Sequence, residues 1–137
     1  MATTLFRGPV LVGKKNEAGV TGYNIEEKSS NYTVVISTDS GKTITSKTTD
    51  VVFTLPAIAV GNVFTFVNTA EDGTNNLTIS PNANDGITYK GSSTDDKDLI
   101  NTQSTSKVGD YVKIQAMNGD VTAWQVTDVQ GVWAKES

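Results

Sequence analysis

The chain contains neither cysteine nor histidine in its 137 residues. Without cysteine there is no disulfide framework and no thiol nucleophile. Histidine is the commonest general base and metal ligand near neutral pH. Its absence removes Ser-His-Asp and Cys-His catalysis and most zinc sites together. No apolar run approaches the ~20 residues of a membrane-spanning helix. The start, "MATTLFRGPVLVG", lacks the basic opening and long apolar stretch of a signal peptide. No membrane contact is expected, and any exit from the cell would use a route other than ordinary secretion. Basic charge is also short, with 11 Lys+Arg against 15 Asp+Glu and a pI near 4.7. A nucleic-acid binder usually shows a basic surface, so direct DNA or RNA binding is not expected.

Leucine, the usual helix filler, occurs only five times, whereas Thr, Val and Ile together number 44. Branched side chains favour the pleated strand. No window sustains an i, i+3, i+4, i+7 apolar pattern. The chain therefore reads as all-β, and its length suits one compact domain. Short strands are expected at 32–37, 43–49, 51–55, 63–67, 77–80, 87–90, 111–117, 122–129 and 132–134. The turns "TDSGK", "NTAEDGTNN", "NANDG" and "NGD" separate several of them. Pro56 and Pro81 lack an amide proton and suit strand ends. In 63–67, Phe64 and Phe66 share one face. In 111–117, Val112, Ile114 and Ala116 do. This pattern predicts a single β-sandwich or jelly-roll-like domain over 31–137. No tandem repeat is visible.

Residues 1–30 differ. Leu5, Phe6, Pro9, Val10, Leu11 and Val12 are apolar, but Gly13, Gly19 and Gly22 then interrupt any long strand. The composition fits an extended arm that buries its apolar residues on a neighbour. The other reading is a first edge strand of the sandwich. A second unusual segment is "TLPAIAVGNVFTFVN". Loops normally lie outside and are polar, yet Ala57, Ile58, Ala59 and Val60 are apolar. They either fold over the open end of the sandwich, shielding Phe53, Phe64 or Phe66, or face another subunit.

Trp124, Trp133 and Tyr111 could stack on sugars, but core packing and strand-end closure are the simpler expectation for such residues. Asp95, Asp96 and Asp98 fall outside the calcium-loop pattern, with Lys97 among them, and read as a solvated acidic loop. Asp85 either caps a turn or accepts a bond across a subunit contact. Glu71 with Asp72, or Asp110 with Asp120, advertise no glycosidase pair, and no enzymatic activity is expected.

The segments "VVFTLPAIAVGNVFTFVN", "LTISPNANDGI", "VGDYVKIQAMNGDVTAWQV" and "GVW" resemble a small β-domain of tailed-phage virion structural proteins. The likeness covers about Val51 to Trp133. The chain's size and its start, "ATTLFRGPVLVG", are most similar to the head decoration, or cement, proteins of that group. The resemblance implies a homotrimer on the capsid exterior that binds the major capsid protein and stabilises the head. It implies no cofactor. On that reading Leu5, Phe6, Arg7, Pro9, Val10, Leu11 and Val12 contact capsid or a neighbour, and Ala57 to Val60 contact another subunit. The alternative is a receptor- or glycan-binding module of a phage tail or head surface.

Overall fold

The computed structural model describes residues 24–120 and 124–137. Two sheets face each other. The first holds β1 (Ile25–Glu27), β3 (Thr43–Ser46), β5 (Val63–Asn68), β7 (Ile87–Thr88), β9 (Tyr111–Ala116) and β10 (Trp124–Gln130). The second holds β2 (Tyr32–Thr33), β4 (Val51–Thr54), β6 (Leu77–Ser80), β8 (Leu99–Asn101) and β11 (Ala134–Lys135). Their orders are β1-β3-β5-β9-β10-β7 and β11-β8-β6-β4-β2. One short helix, α1 (Ile36–Asp39), crosses between them.

The all-β sandwich is as expected, but its winding is not that of a jelly roll, whose pairs are antiparallel. From β1 to β6 the chain alternates between the sheets, so neighbours within each sheet run parallel. Thr43 lies beside Ile25, and Thr65 beside Thr43, so successive coils take 18 and 22 residues. This is a flattened solenoid with a structural repeat that the sequence hides. The crossovers differ too much to align: α1 bridges one pair of strands where residues 55–62 bridge the next. Antiparallel β8, β9 and β10 then finish the sheets.

Alternation sorts the side chains as the period-two pattern predicts. Ile44, Val51, Phe53, Phe64, Phe66, Leu77, Ile79, Val112, Ile114 and Trp124 are fully or almost fully buried. Phe53 stacks on Phe66 at 5.4 Å, and Phe64 lies 5.7 Å from Trp124. Burying each such side chain contributes roughly 1.5–3 kcal/mol.

Residues 25–30, expected in the arm, include a strand: β1 forms one edge of the first sheet. Its flank of the sandwich is sealed by charge. Lys28 Nζ lies 2.6 Å from Glu26 and 3.9 Å above the Tyr32 ring, and Lys42 Nζ lies 3.2 Å from Glu26. The opposite flank is stitched by Lys135, whose Nζ donates to the Ile87 carbonyl at 2.6 Å. Burial pushes the Lys135 ammonium below its ordinary pKa.

The two remaining openings are the ends, where the chain crosses between sheets. One end carries α1, residues 55–62, residues 81–86 and the turn after β9. The other carries residues 47–50, 69–76, 102–110 and 131–133.

Candidate functional site

The first end holds the apolar loop. Its sequence from Leu55 to Asn62, "LPAIAVGN", has no charge. Leu55 is fully buried, and Ile58 packs against the core. Leu55 and Ile58 thus pack into the core cluster that holds Phe53, Phe64 and Phe66, while Ala57 and Val60 are exposed. Several hydrogen bonds fix the loop. Ile58 N–H donates to Asp85 Oδ2 at 3.1 Å, Asn62 Nδ2 donates to the Ala59 carbonyl, and Gly61 N–H donates to the Ala116 carbonyl. Gly61 has φ +92°, a region where a side chain would be strained. Asp85 thus braces a loop 27 residues away. Its own turn is held by backbone, through Asp85 N–H and the Asn82 carbonyl.

The same loop also leaves apolar surface outside. Val60 is 64% exposed. Met117, next to the Ala116 that pairs with Gly61, is 47% exposed, and Val35, at the start of α1, is 45% exposed. The α1 crossover is itself rigidly held. Asp39 is buried and accepts from Tyr32 Oη and Val35 N–H, both at 2.8 Å. The bond to Asp39, with some burial, raises the Tyr32 phenol above its ordinary pKa. Gly41 N–H and the Val63 carbonyl then join α1 to β5. Three exposed apolar side chains therefore stand on one hydrogen-bonded frame.

Residues 1–12, which include the expected contact residues Leu5, Phe6, Arg7, Pro9, Val10, Leu11 and Val12, lie outside the described residues. The point where that segment joins the sandwich is described. The Asn24 carbonyl accepts from Thr43 N–H at the start of β3, beside the α1 crossover. The structure thus brings Asn24 and the loop Ala57–Val60, 33 residues apart in sequence, to the same end.

The opposite end is closed by side-chain amides. Asn68, Asn75 and Asn101 are fully buried, as is Ser46, and Asp110 almost so. Asn68 Nδ2 donates to Asn75 Oδ1 at 2.9 Å and to Asn101 Oδ1 at 2.8 Å, while its Oδ1 accepts from Ala70 N–H. Asn75 Nδ2 reaches the Thr48 carbonyl. Asn101 Nδ2 donates to Asp110 Oδ2 at 2.9 Å and to the Val132 carbonyl at 3.0 Å. Asp110 Oδ2 also accepts from Lys107 N–H. Sequence reasoning missed this network because it took asparagine as a turn signal. Strand parity carries the signal: Asn68 follows Phe64 and Phe66 at steps of two, and Asn101 follows Leu99.

Trp124 and Trp133 are both buried, so neither presents a face for a sugar. Tyr111 Oη donates to Asp128 across the outer face at 3.2 Å. Asp95 and Asp96 are exposed and Asp98 is half-buried; among the described residues no three His, Cys, Asp or Glu side chains gather as a metal site. Asp72 does not pair with Glu71. It accepts from Val108 N–H at 2.8 Å and faces Lys107, and that backbone bond first, then Lys107, holds its pKa below the ordinary value. Among the described residues no helix is long and apolar enough to cross a membrane. No family model matches the chain, and no curated protein matches it.

Proposed function

We propose that this chain is a non-catalytic docking protein, and specifically a phage head decoration (cement) protein. It would bind the outer face of the major capsid protein lattice, as a homotrimer, and stabilise the shell. The observation that carries this reading is the loop end. Val60 on the uncharged crossover, Met117 after β9 and Val35 at the start of α1 are held in solvent on a braced frame, at the end where Asn24 meets Thr43. Exposed apolar groups on rigid backbone lose little conformational entropy on docking, which favours association. Several such contacts in one oligomer would reinforce one another through effective concentration. The resemblance of the segments from Val51 to Trp133 to phage virion β-domains supplies the partner. The buried tryptophans give the glycan-binding alternative no support from their side chains.

The test is saturable binding to purified heads that lack the protein, measured for the full chain and for a chain without residues 1–12. The full chain is expected to bind and to raise the temperature at which heads rupture, and the shortened chain to bind more weakly. Full occupancy by the shortened chain would remove the arm from the contact. Failure of the full chain to bind, with a hit on a glycan array, would favour the alternative.

A further inference from the structure

We propose that Asn118 is a site of spontaneous deamidation, at which the turn after β9 acquires a carboxylate with age. The chemistry does not rest on the capsid reading. Of the eleven asparagines in the chain, only Asn118 precedes a glycine. Asn118 and Gly119 are both exposed. Among the described residues, chain neighbours aside, nothing lies within 4 Å of where a Cβ of Gly119 would sit. The Gly119 amide nitrogen is therefore open to approach, with no side chain to shield it. The Asp120 N–H donates to Asn118 Oδ1 at 2.8 Å, and the ring closed by that bond contains both Asn118 Cγ and the Gly119 nitrogen. That donor faces the oxygen on which negative charge gathers when the nitrogen attacks Cγ, so it stabilises the transition state. None of the described residues holds Asn118 Nδ2, the leaving group.

The step balances with water alone. Hydroxide takes the Gly119 amide proton, the nitrogen bonds to Asn118 Cγ, and the Cγ–Nδ2 bond breaks. The departing Nδ2 group takes a proton from water, which restores the hydroxide, and leaves as ammonia. Water then opens the cyclic imide at either carbonyl, giving an aspartyl or an isoaspartyl residue at position 118. Other positions are held back. Asn68, Asn75 and Asn101 are buried with their amides bound. Asn62 Nδ2 is held by the Ala59 carbonyl, and Asn76 Nδ2 by Asp50. Asp72 and Asp85 also precede glycine, but a carboxylate is a poor electrophile, and theirs already accept from Val108 and Ile58 N–H. A Cβ on Gly86 would fall 3.0 Å from Asp95 Cα, so the backbone there is packed. The new carboxylate at position 118 adds one negative charge to the chain's −4, beside exposed Met117. Ageing thus puts charge on an end that otherwise shows apolar surface.

The test is incubation of the full chain in near-neutral buffer made with heavy-oxygen water, once folded and once unfolded in guanidinium. Peptide mapping by mass spectrometry follows each asparagine, and Asn118→Asp supplies the charge standard for isoelectric focusing. The folded chain is expected to lose ammonia at position 118 at least as fast as the unfolded one. The product should carry heavy oxygen and include the isoaspartyl form, while the amides of Asn68, Asn75 and Asn101 stay intact. Gly119→Val is expected to slow the loss at least about tenfold, because a branched side chain covers the attacking nitrogen. A folded chain that keeps Asn118 intact, or converts it more slowly than the unfolded chain, would overturn the inference, since the turn would then protect the amide. Equal rates in the parent and Gly119→Val would overturn it too, by removing the Gly119 nitrogen from the reaction.

Discussion

The two ends of the sandwich solve one problem with different chemistry. Both must close a gap between sheets where crossovers leave backbone groups without ladder partners. The amide end fills the gap with Asn68, Asn75, Asn101 and Asp110, whose donors and acceptors satisfy one another and the nearby loops. The loop end fills it with Leu55, Ile58 and Trp124, and spends one carboxylate on each of two crossovers, Asp39 on α1 and Asp85 on residues 55–62. Among the described residues, the buried side-chain polar atom without a hydrogen-bond partner, Trp124 Nε1, lies at the loop end. A saturated polar layer fixes geometry because a shifted strand would strand several buried groups at once. An apolar closure tolerates adjustment and leaves greasy surface outside. The amide end fixes the fold through buried hydrogen bonds, and the loop end closes it with apolar packing.

The largest expected effect tests the rigidity of the amide end. Gly131 has φ +93°, and a Cβ there would fall within the Asp110 carboxyl group. That carboxylate cannot move aside without releasing Asn101 and Lys107 N–H. Gly131→Ala is therefore expected to cost about 3–5 kcal/mol in urea unfolding, combining backbone strain with displaced hydrogen bonds. A loss below about 1 kcal/mol would show that the layer yields, and would erase the contrast between the ends. Asn68→Leu is next. It conserves bulk but orphans Asn75 Oδ1, Asn101 Oδ1 and Ala70 N–H, at about 2–3 kcal/mol. Ile58→Ala, its counterpart at the loop end, should cost only about 1–2 kcal/mol, since Ile58 is part-buried.

These contrasts also show what could be read before the fold was known. Most strand positions were legible because Val, Ile, Thr and Phe alternate with period two and because Pro56 and Pro81 stop β4 and β6 at the right places, but β1 and β8 were not anticipated and the strand expected over 32–37 gives way to α1 at Ile36. The inward faces of β5 and β9 followed from the same alternation. The winding was not legible. Which strand pairs with which depends on whether a crossover spans the gap between sheets, and neither "ISTDSGK" nor "LPAIAVGN" states its direction. The amide layer was hidden because asparagine at a strand end reads equally as the start of a turn. The loop Ala57–Val60 was recognisable as odd from its apolar content. That it shares an end with Asn24 needed the strand directions.

A smaller effect on stability separates the ends by function. Val60→Asp and Met117→Asp place a charge on exposed positions, so folding free energy should change by no more than about 0.5 kcal/mol. Binding to heads should nevertheless fall sharply if the loop end docks. Val108→Asp, equally exposed at the amide end, should leave both stability and binding unchanged. Equal losses of binding at both ends would mean that the docking surface is not confined to one of them.

The smallest expected effect concerns the charged flank beside β1, which joins the two ends. Lys28, and after it Lys42, hold Glu26 below the ordinary carboxylate value of 4.5. A carboxylate whose pKa is lowered by folding binds fewer protons in the folded state than in the unfolded one. Its contribution to stability is therefore complete above the ordinary value and is lost as pH falls through the lowered one. Glu26 is partly exposed, so solvent screens the pair and the effect is small. Glu26→Gln should thus leave the fall in melting temperature from about pH 5 to about pH 3 slightly shallower than in the parent chain. Lys28 works in the opposite window, because Glu26 raises its pKa and the stabilisation fades only as pH climbs through that raised value. An acid limb identical in the parent and Glu26→Gln would mean that the flank is closed by packing of the Lys28 stem on Tyr32, and that its charges are incidental to how the ends are held together.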